Sequence, residues 1–229
     1  MMKKDRIKTT STREIKNSFK RFLSLLVMSM LGVGVFVGLK MAAPDMIMSL
    51  DKYYDDNNVY DVKIVSTLGL TNDDINEISK LNGVKKVIGS YSKDVLIKNN
   101  KNSESVIKVI GITDDLNEIK LKKGKKPKDD SEILVEENML KRENLKIGDK
   151  ITLLDDETFN NKELTIVGIV KSPLYITTAT SSSNRGNTTI GTGEIDYYAY
   201  VNKSNFNFIH VISNSNYFYY RFTTFVIFN

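Results

Sequence analysis

Pairs of adjacent acidic residues recur along the chain, and paired carboxylates could hold a metal ion or act as acid and base. None of the pairs has the spacing of a calcium-binding loop. On a strand, adjacent side chains also point to opposite faces. We interpret the pairs as solvent-exposed charges and as charges at helix N termini, and we expect no metal site. Among these pairs are Asp55-Asp56, Asp73-Asp74, Asp129-Asp130 and Asp155-Asp156.

Other residues that carry catalysis are scarce or occur in the wrong pattern. His210 is the only histidine, so metal ligation or general base catalysis by histidine is not expected. Ser181–Ser183 has the composition of a loop, and Gly191-Thr192-Gly193 lacks the third glycine of a dinucleotide-binding turn. No GxxxxGK[ST] motif occurs. We expect no catalytic residue and no cofactor, and we predict that the chain is not an enzyme.

A long apolar run near the N terminus limits what the chain can be. Between Phe22 and Leu39 eighteen residues carry no charge; as a helix they would extend roughly 27 Å, close to the hydrocarbon thickness of a bilayer. A cleaved export signal has a shorter apolar stretch of about 7–15 residues. Pro44 also follows directly after the small pair Ala42-Ala43, an unfavourable place for cleavage. We predict a retained transmembrane helix over residues 22–43.

The charge in front of this run predicts its orientation. The first 21 residues carry a net charge of +6, whereas the whole chain carries +5. Because basic flanks stay in the cytoplasm, Lys16, Lys20 and Arg21 place the N terminus inside and residues from about 45 outside the cell. Ser11-Thr12-Arg13-Glu14 has the pattern of a capping box, so residues 1–21 are predicted to be a basic amphipathic segment at the inner leaflet. A disordered basic stub is the alternative.

The apolar run contains a cluster of glycines, Gly32, Gly34 and Gly38. The last two form a GxxxG pattern, which lets a second helix approach closely in lipid. The pattern indicates that the predicted span packs against other helices.

Residues 44–205 are predicted to form an extracytoplasmic α+β domain. The chain contains no cysteine, so a hydrophobic core must hold the domain together. Strand and helix patterns mix without strict alternation, which favours an α+β fold. The net charge of the folded part of the chain is close to neutral, which argues against nucleic-acid binding. A β-α-β unit is predicted over residues 61–88, with Thr71 capping its helix, and a hairpin over 94–112. Further strands are predicted at 131–135, 151–154, 163–170 and 196–201, a helix near 136–143, and loops over 116–128 and 179–193.

Residues 206–229 differ from the rest of the chain in composition. They contain nine of the 21 aromatic residues and one charged residue, Arg221. Two interpretations remain open: a genuine apolar strand pair, or out-of-frame translation of an AT-rich gene. We favour the second, which would leave these residues without designed structure.

Four short segments follow one another in order over residues 121–170. They are Leu121-Lys-Lys-Gly-Lys-Lys-Pro127, Glu132-Ile-Leu-Val135, Leu145-Lys-Ile-Gly-Asp-Lys-Ile151 and Glu163-Leu-Thr-Ile-Val-Gly-Ile-Val170. In this order they resemble the extracytoplasmic core domain of FtsX-like permeases, the membrane subunits of MacB-type ABC transporters. Residues 13–24 resemble the start of such permeases, and residues 60–66 and 83–87 the opening of their outer domain.

The resemblance implies a membrane subunit that transmits ATP-driven motion to its extracytoplasmic domain. It implies as partners a separate ABC ATPase subunit, a second permease copy and the missing C-terminal spans. The apolar run itself implies contact with membrane lipid. In the family, Gly148 and Asp149 would form a turn between two strands of a small β-rich subdomain. Because the sequence contains no later spans, we expect this chain to be a fragment that is inactive in transport by itself.

Two other classes of function remain as alternatives. The first is a single-pass membrane-anchored extracellular sensor or binding module. The second is an anchored hydrolase, which the lack of a nucleophile and base makes the weaker alternative. Translation of the downstream DNA in all three frames would separate the fragment from the anchored module, because only the fragment predicts further apolar spans there.

Overall fold

The computed structural model divides the chain into two compact units, Met1–Tyr53 and Tyr54–Asn229. The described residues are 13–14, 16–66, 70–98, 104–113, 115–154, 158–176, 185–207 and 221–228. For residues 221–228 only the backbone is described.

The first unit is dominated by one long helix, α1 (Phe19–Asp56), which continues into the start of the second unit. Its 38 residues correspond to roughly 57 Å of helix, well beyond the thickness of a hydrocarbon core. The helix is long and apolar enough to cross a membrane, and none of its residues is buried by the rest of the protein. It passes through Pro44, which donates no backbone hydrogen bond. The helix therefore extends beyond the predicted span of residues 22–43.

Among its described residues the second unit is built on one mixed sheet of nine strands, which agrees with the predicted α+β class. Its strand order is β1-β9-β2-β3-β8-β5-β7-β4, and β6 pairs with β7 outside this path. The strands are β1 (Val62–Ser66), β2 (Val84–Lys98), β3 (Glu104–Gly111), β4 (Lys120–Gly124), β5 (Glu132–Glu136), β6 (Lys150–Thr152), β7 (Glu163–Lys171), β8 (Tyr197–Val201) and β9 (Arg221–Phe228). The helices are α2 (Asn72–Ser79) and α3 (Glu137–Glu143), with a short 3₁₀ turn at Lys203–Asn205.

The helix α2 begins where the sequence predicts it. The Thr71 hydroxyl accepts a hydrogen bond from the backbone N–H of Asp74, whose carboxylate in turn accepts from the Thr71 N–H at 2.7 Å. This reciprocal pair satisfies two of the N–H groups that a helix start leaves unpaired. Leu81 lies past the end of α2 and is exposed.

The predicted β-α-β unit is present in a split form. The strands β1 and β2 both pair antiparallel with β9, so they run parallel to each other with β9 between them. The predicted hairpin is also present, because β2 pairs antiparallel with β3 from Ser92↔Ile110 to Lys98↔Glu104. The strand β9 agrees with the strand interpretation for that part of the tail. Whether the tail is read in frame stays a prediction.

One predicted loop is wrong in part. Within residues 116–128 the structure forms the strand β4, which pairs antiparallel with β7. Three of its five residues are lysines, so its sequence lacks the apolar alternation of a half-buried strand. All five residues are exposed, and in the described part of the sheet β4 is an outer strand. Lysine is common on such edges because it discourages pairing with another chain.

Two apolar clusters hold the sheet. The larger includes α3 side chains and aromatic rings such as Phe159 and Phe206, whose centroids lie 5.0 Å apart. The smaller gathers Leu134, Val170, Tyr198 and Tyr200. The chemistry described next lies where β5, β7 and β4 meet.

Candidate functional site

The four segments of the family resemblance come together around a single strand, β7. In the sheet β7 lies between β5 and β4 and also pairs with β6. The segment 121–127 contributes most of β4, 132–135 most of β5, 145–151 the turn into β6, and 163–170 most of β7. Segments scattered over 50 positions in the sequence therefore form one contiguous part of the sheet.

The turn at Gly148 and Asp149 is attached to β7 by hydrogen bonds. Gly148 has a positive φ of 103°, a conformation that suits glycine. Its N–H donates to the Ile166 carbonyl at 2.8 Å, and the Ile166 N–H donates to the Asp149 carbonyl at 2.9 Å. The Asp149 carboxylate accepts from the Lys146 N–H at 2.7 Å. The turn thus fixes the register with which β6 joins the sheet.

Two other glycines from these segments allow an unusually close approach of backbones. Gly124 on β4 lies opposite Gly168 on β7. A Cβ on Gly124 would lie 2.2 Å from the Val167 carbonyl oxygen and 2.6 Å from the Gly168 Cα. Gly124 also has a φ of +89°. Both features exclude larger residues at this position, so the glycine within the Lys-rich segment is a requirement for the β4–β7 contact.

A buried ion pair lies beside the end of β5. The Arg185 guanidinium donates two hydrogen bonds to the Glu136 carboxylate, from Nε to Oε1 and from Nη2 to Oε2, each at 2.8 Å. The side chains are 6% and 5% exposed. The Tyr198 N–H adds a third donor at 3.3 Å. Burial raises the pKa of Glu136, and the hydrogen bonds from Arg185 oppose that rise.

A group of tyrosines surrounds this pair. The rings of Tyr175 and Tyr198 stack with centroids 4.5 Å apart, and Tyr200 meets Tyr198 edge-on. The hydroxyls of Tyr200 and Ser172 are hydrogen-bonded at 2.6 Å. Burial raises the pKa of Tyr175 and of Tyr200, so both phenols stay protonated at neutral pH. They contribute aromatic surface and neutral hydrogen bonds, not charge.

These groups border an open cleft of about 410 Å³ at the end of the sheet. The cleft lies where β4 begins, where β7 ends and where β5 passes into α3. A cleft of this size can take a small organic ligand. It is lined by Lys120, Leu121, Lys122, Glu136, Glu137, Asn138, Val170, Lys171, Tyr175 and Tyr198.

Two of the cleft lysines face each other across paired strands. Lys120 on β4 is opposite Lys171 on β7, an arrangement that brings like charges together and is unfavourable by itself. Among the described residues neither lysine makes an ion pair, whereas Lys122 contacts Glu137 and Lys125 contacts Glu132. The two acids in the cleft are neutralised by Arg185, Lys122 and Lys141. The cleft therefore carries a net positive charge that comes from Lys120 and Lys171.

The ion pairs of Glu137 predict a dependence of stability on acid. Hydrogen bonds from Lys122 and Lys141 lower the pKa of Glu137 from 4.5 to about 2. Because the folded-state pKa is the lower one, its contribution is present above about pH 4.5 and is lost as the pH falls towards 2. As the pH falls over this range, we expect the free energy of unfolding to decrease less in Glu137→Gln than in the wild type, as measured by denaturant titration. The difference is small, because the side chain is partly exposed. An equally steep decrease in the variant and the wild type would contradict this prediction.

The residues singled out in the apolar run lie on α1 or just before it. A Cβ on Gly32, Gly34 or Gly38 would meet no atom within 4 Å, so these positions have room for a neighbouring helix. Lys20 and Arg21 lie in the first turn of α1, and Lys16 lies in a helical stretch before it. The roles predicted for these six residues, in helix packing and membrane orientation, stay predictions.

In the described part of the chain no group of three or more potential metal ligands comes together, and the absence of a metal site stays a prediction. Asp73 and Asp74 lie in the first turn of α2, as interpreted from the sequence. Asp129 accepts a hydrogen bond from the Ser131 N–H at 2.9 Å. Other predicted positions, Asp155-Asp156, Ser181–Ser183 and His210, lie outside the described residues.

The sequence reasoning missed the buried pair and the tyrosines. Arg185 is the one charged residue between Lys171 and Glu194, and a lone cation in a stretch of Ser, Thr, Asn and Gly is a signal for a specific partner. The run Tyr197-Tyr198-Ala199-Tyr200 marks a strand that carries aromatic rings on both faces. Nothing in the sequence pairs these residues with Glu136, which is 49 positions from Arg185.

Comparisons with known proteins found similar solved structures. No family model matches the chain, and no curated protein matches it. One similar structure is the extracellular domain of the noncanonic ABC-type transporter YknZ from Gram-positive bacteria: 14% identity, TM-score 0.41, 73% of this chain and 83% of that one. Another is the periplasmic region of MacB from Actinobacillus actinomycetemcomitans: 16% identity, TM-score 0.38, 70% and 65%. A third is a domain of a permease protein from Porphyromonas gingivalis: 14% identity, TM-score 0.40, 72% and 69%.

Proposed function

We propose that the chain is a membrane subunit of an ABC transporter of the FtsX/MacB type. In this role α1 anchors it in the membrane, and the sheet domain is extracytoplasmic and receives motion driven by a separate ATPase. The observation that carries this assignment is the assembly of all four family segments around β7. Short segments that resembled the family only by chance would have no reason to lie next to one another in one sheet. The apolar helix preceding this domain supplies the anchor that such a subunit needs.

The proposed function also includes an N terminus in the cytoplasm. It rests on the basic residues before the span, among them Lys16, Lys20 and Arg21. Under this assignment the chain is not an enzyme, and its work is mechanical. The glycines Gly32, Gly34 and Gly38 would face a second permease copy or other spans.

The topology has a direct test, because the chain contains no cysteine to remove first. Asn17→Cys and Asn76→Cys place single thiols at exposed positions on either side of the apolar run. We expect a membrane-impermeant maleimide to label residue 76 in intact cells and residue 17 only after lysis, with the protein resistant to alkaline extraction. The reverse labelling would contradict the orientation. Recovery of a soluble form beginning near residue 44 would contradict the anchor and the transporter assignment with it.

The partner requires a separate experiment in the native membrane, where any other components of the transporter are present. Cross-linking followed by affinity purification of the tagged chain is expected to recover an ABC ATPase subunit. If no ATPase is recovered and the topology is as expected, the permease assignment is overturned. The membrane-anchored binding module then remains as the function. The cleft with its two unneutralised lysines is the observation that favours that second candidate.

A further inference from the structure

The cleft at the start of β4 and the end of β7 has two like charges opposite each other, an arrangement that is unfavourable unless a ligand is present. Directly opposite residues of an antiparallel pair have their Cβ atoms about 4.5–5.5 Å apart, and like charges there repel. Lys120 and Lys171 occupy such a pair. The third lysine of the cleft, Lys122, already contacts Glu137, and Arg185 pairs with the cleft residue Glu136. An anion bound between Lys120 and Lys171 would turn this repulsion into attraction.

The number of unneutralised charges indicates what kind of anion fits. Two lysine ammonium groups match a dianion, and a phosphate monoester carries a charge of about −1.5 to −2 at pH 7. Lysine binds phosphate as a point charge without the planar geometry that arginine requires. A phosphate diester, such as a lipid headgroup, carries a single charge and would leave one lysine uncompensated.

The remainder of the cleft suits the organic part of such a ligand. Leu121, Val170 and the stacked rings of Tyr175 and Tyr198 supply apolar and aromatic surface, and Asn138 supplies a neutral hydrogen-bonding group. The volume of about 410 Å³ is larger than a phosphate group alone requires. We propose that this cleft binds a small soluble phosphate monoester, with the phosphate between Lys120 and Lys171 and the organic group over the tyrosines.

The test is a titration of the full chain in a neutral detergent, with ionic strength held constant by chloride. The probes are glycerol phosphate as the monoester and glycerophosphoglycerol as the diester, and binding is followed by calorimetry. We expect saturable binding of the monoester at least about tenfold tighter than that of the diester. Monoester binding should weaken below about pH 6, where the second phosphate proton returns. Tighter binding of the diester would overturn the assignment of a monoester as the ligand and would indicate a lipid headgroup instead.

Variants assign the binding to the two lysines. Lys120→Met and Lys171→Met are each expected to weaken monoester binding about tenfold or more, because each removes a charge-assisted hydrogen bond. Lys123→Met is the matched control, because Lys123 is an exposed lysine on the same strand that does not line the cleft. It should bind like the wild type. Equal weakening in all three variants, or no saturable binding by the wild type, would overturn the site.

The same variants separate lost binding from lost structure. Without ligand, Lys120→Met and Lys171→Met should unfold at the wild-type temperature or above it, because each relieves the like-charge contact. A lower unfolding temperature in both variants would mean that the lysines have a structural role and would overturn the site. This outcome is independent of α1, so failure of the phosphate site and failure of the transporter assignment are distinguishable.

Discussion

Replacing Gly124 with alanine is expected to lower the free energy of unfolding by about 3 kcal/mol or more. About 1–2 kcal/mol follows from placing a Cβ at positive φ, and about 1–3 kcal/mol from forcing extra atoms into a packed contact. The new Cβ would lie 2.2 Å from the Val167 carbonyl oxygen, which belongs to β7 and cannot rotate away. The strand β4 would have to separate from β7. Thermal and denaturant unfolding, followed by the near-ultraviolet signal of the tyrosines, measures the loss.

Gly83 offers a matched control for the steric part of this effect. Its φ is also +89°, but a Cβ there would meet no atom within 4 Å. Gly83→Ala should therefore lose only the conformational part, about 1–2 kcal/mol. If the two variants lost the same stability, close approach of the β4 and β7 backbones would not be the reason for glycine at position 124.

Removing the charge of Arg185 is expected to cost about 3–5 kcal/mol, the usual result of leaving a buried charge without its partner. In Arg185→Met the Glu136 carboxylate stays buried among tyrosines with only the Tyr198 N–H as a described donor. Burial already raises the pKa of Glu136, and loss of the guanidinium raises it further. A carboxyl group with a raised folded-state pKa favours the fold at low pH and loses that contribution as the pH rises through the folded value. The variant should therefore be least stable, relative to the wild type, at neutral and alkaline pH.

Two comparisons make this second prediction specific. Lys80→Met removes one partner of an exposed pair, Lys80 and Glu77, whose side chains are 68% and 73% exposed, and should cost less than about 1 kcal/mol. The double variant Glu136→Leu/Arg185→Met should recover much of the loss, because it leaves no unpaired charge. A double variant as unstable as Arg185→Met alone would show that shape, and not the unpaired charge, dominates.

The sequence allowed the correct prediction of those elements whose signals are local. The cap at Thr71 and the strand containing Ile166 depend on neighbours within a few positions, and the structure has both. The family resemblance implied that the turn at Gly148 joins two strands, but in the structure this turn lies between α3 and β6. The strand β4 was not predicted, because its lysines face solvent and its pairing partner β7 lies about 45 positions away in the sequence. Alternating burial, the basis of strand prediction, is absent from an outer strand with no buried residue.

The cleft and its ion pair could not be predicted for a related reason. Glu136 is the last residue of β5, whereas Arg185 lies between β7 and β8 and is 49 positions away in the sequence. No local sequence pattern brings these two residues together. The facing of Lys120 and Lys171 likewise depends on the register of β4 against β7, which a bulge between Leu121 and Lys123 shifts. Register is a property of two strands together, so neither strand alone contains it.

The lysines of β4 also restrict how copies of this protein can associate. An outer strand with free backbone groups would otherwise recruit the same strand from another molecule and polymerise edge to edge. If two β4 strands paired, six ammonium groups would crowd onto one short ribbon, since each strand contributes Lys120, Lys122 and Lys123. Electrostatic repulsion disfavours such a ribbon, so β4 is a poor surface for pairing two copies of the chain.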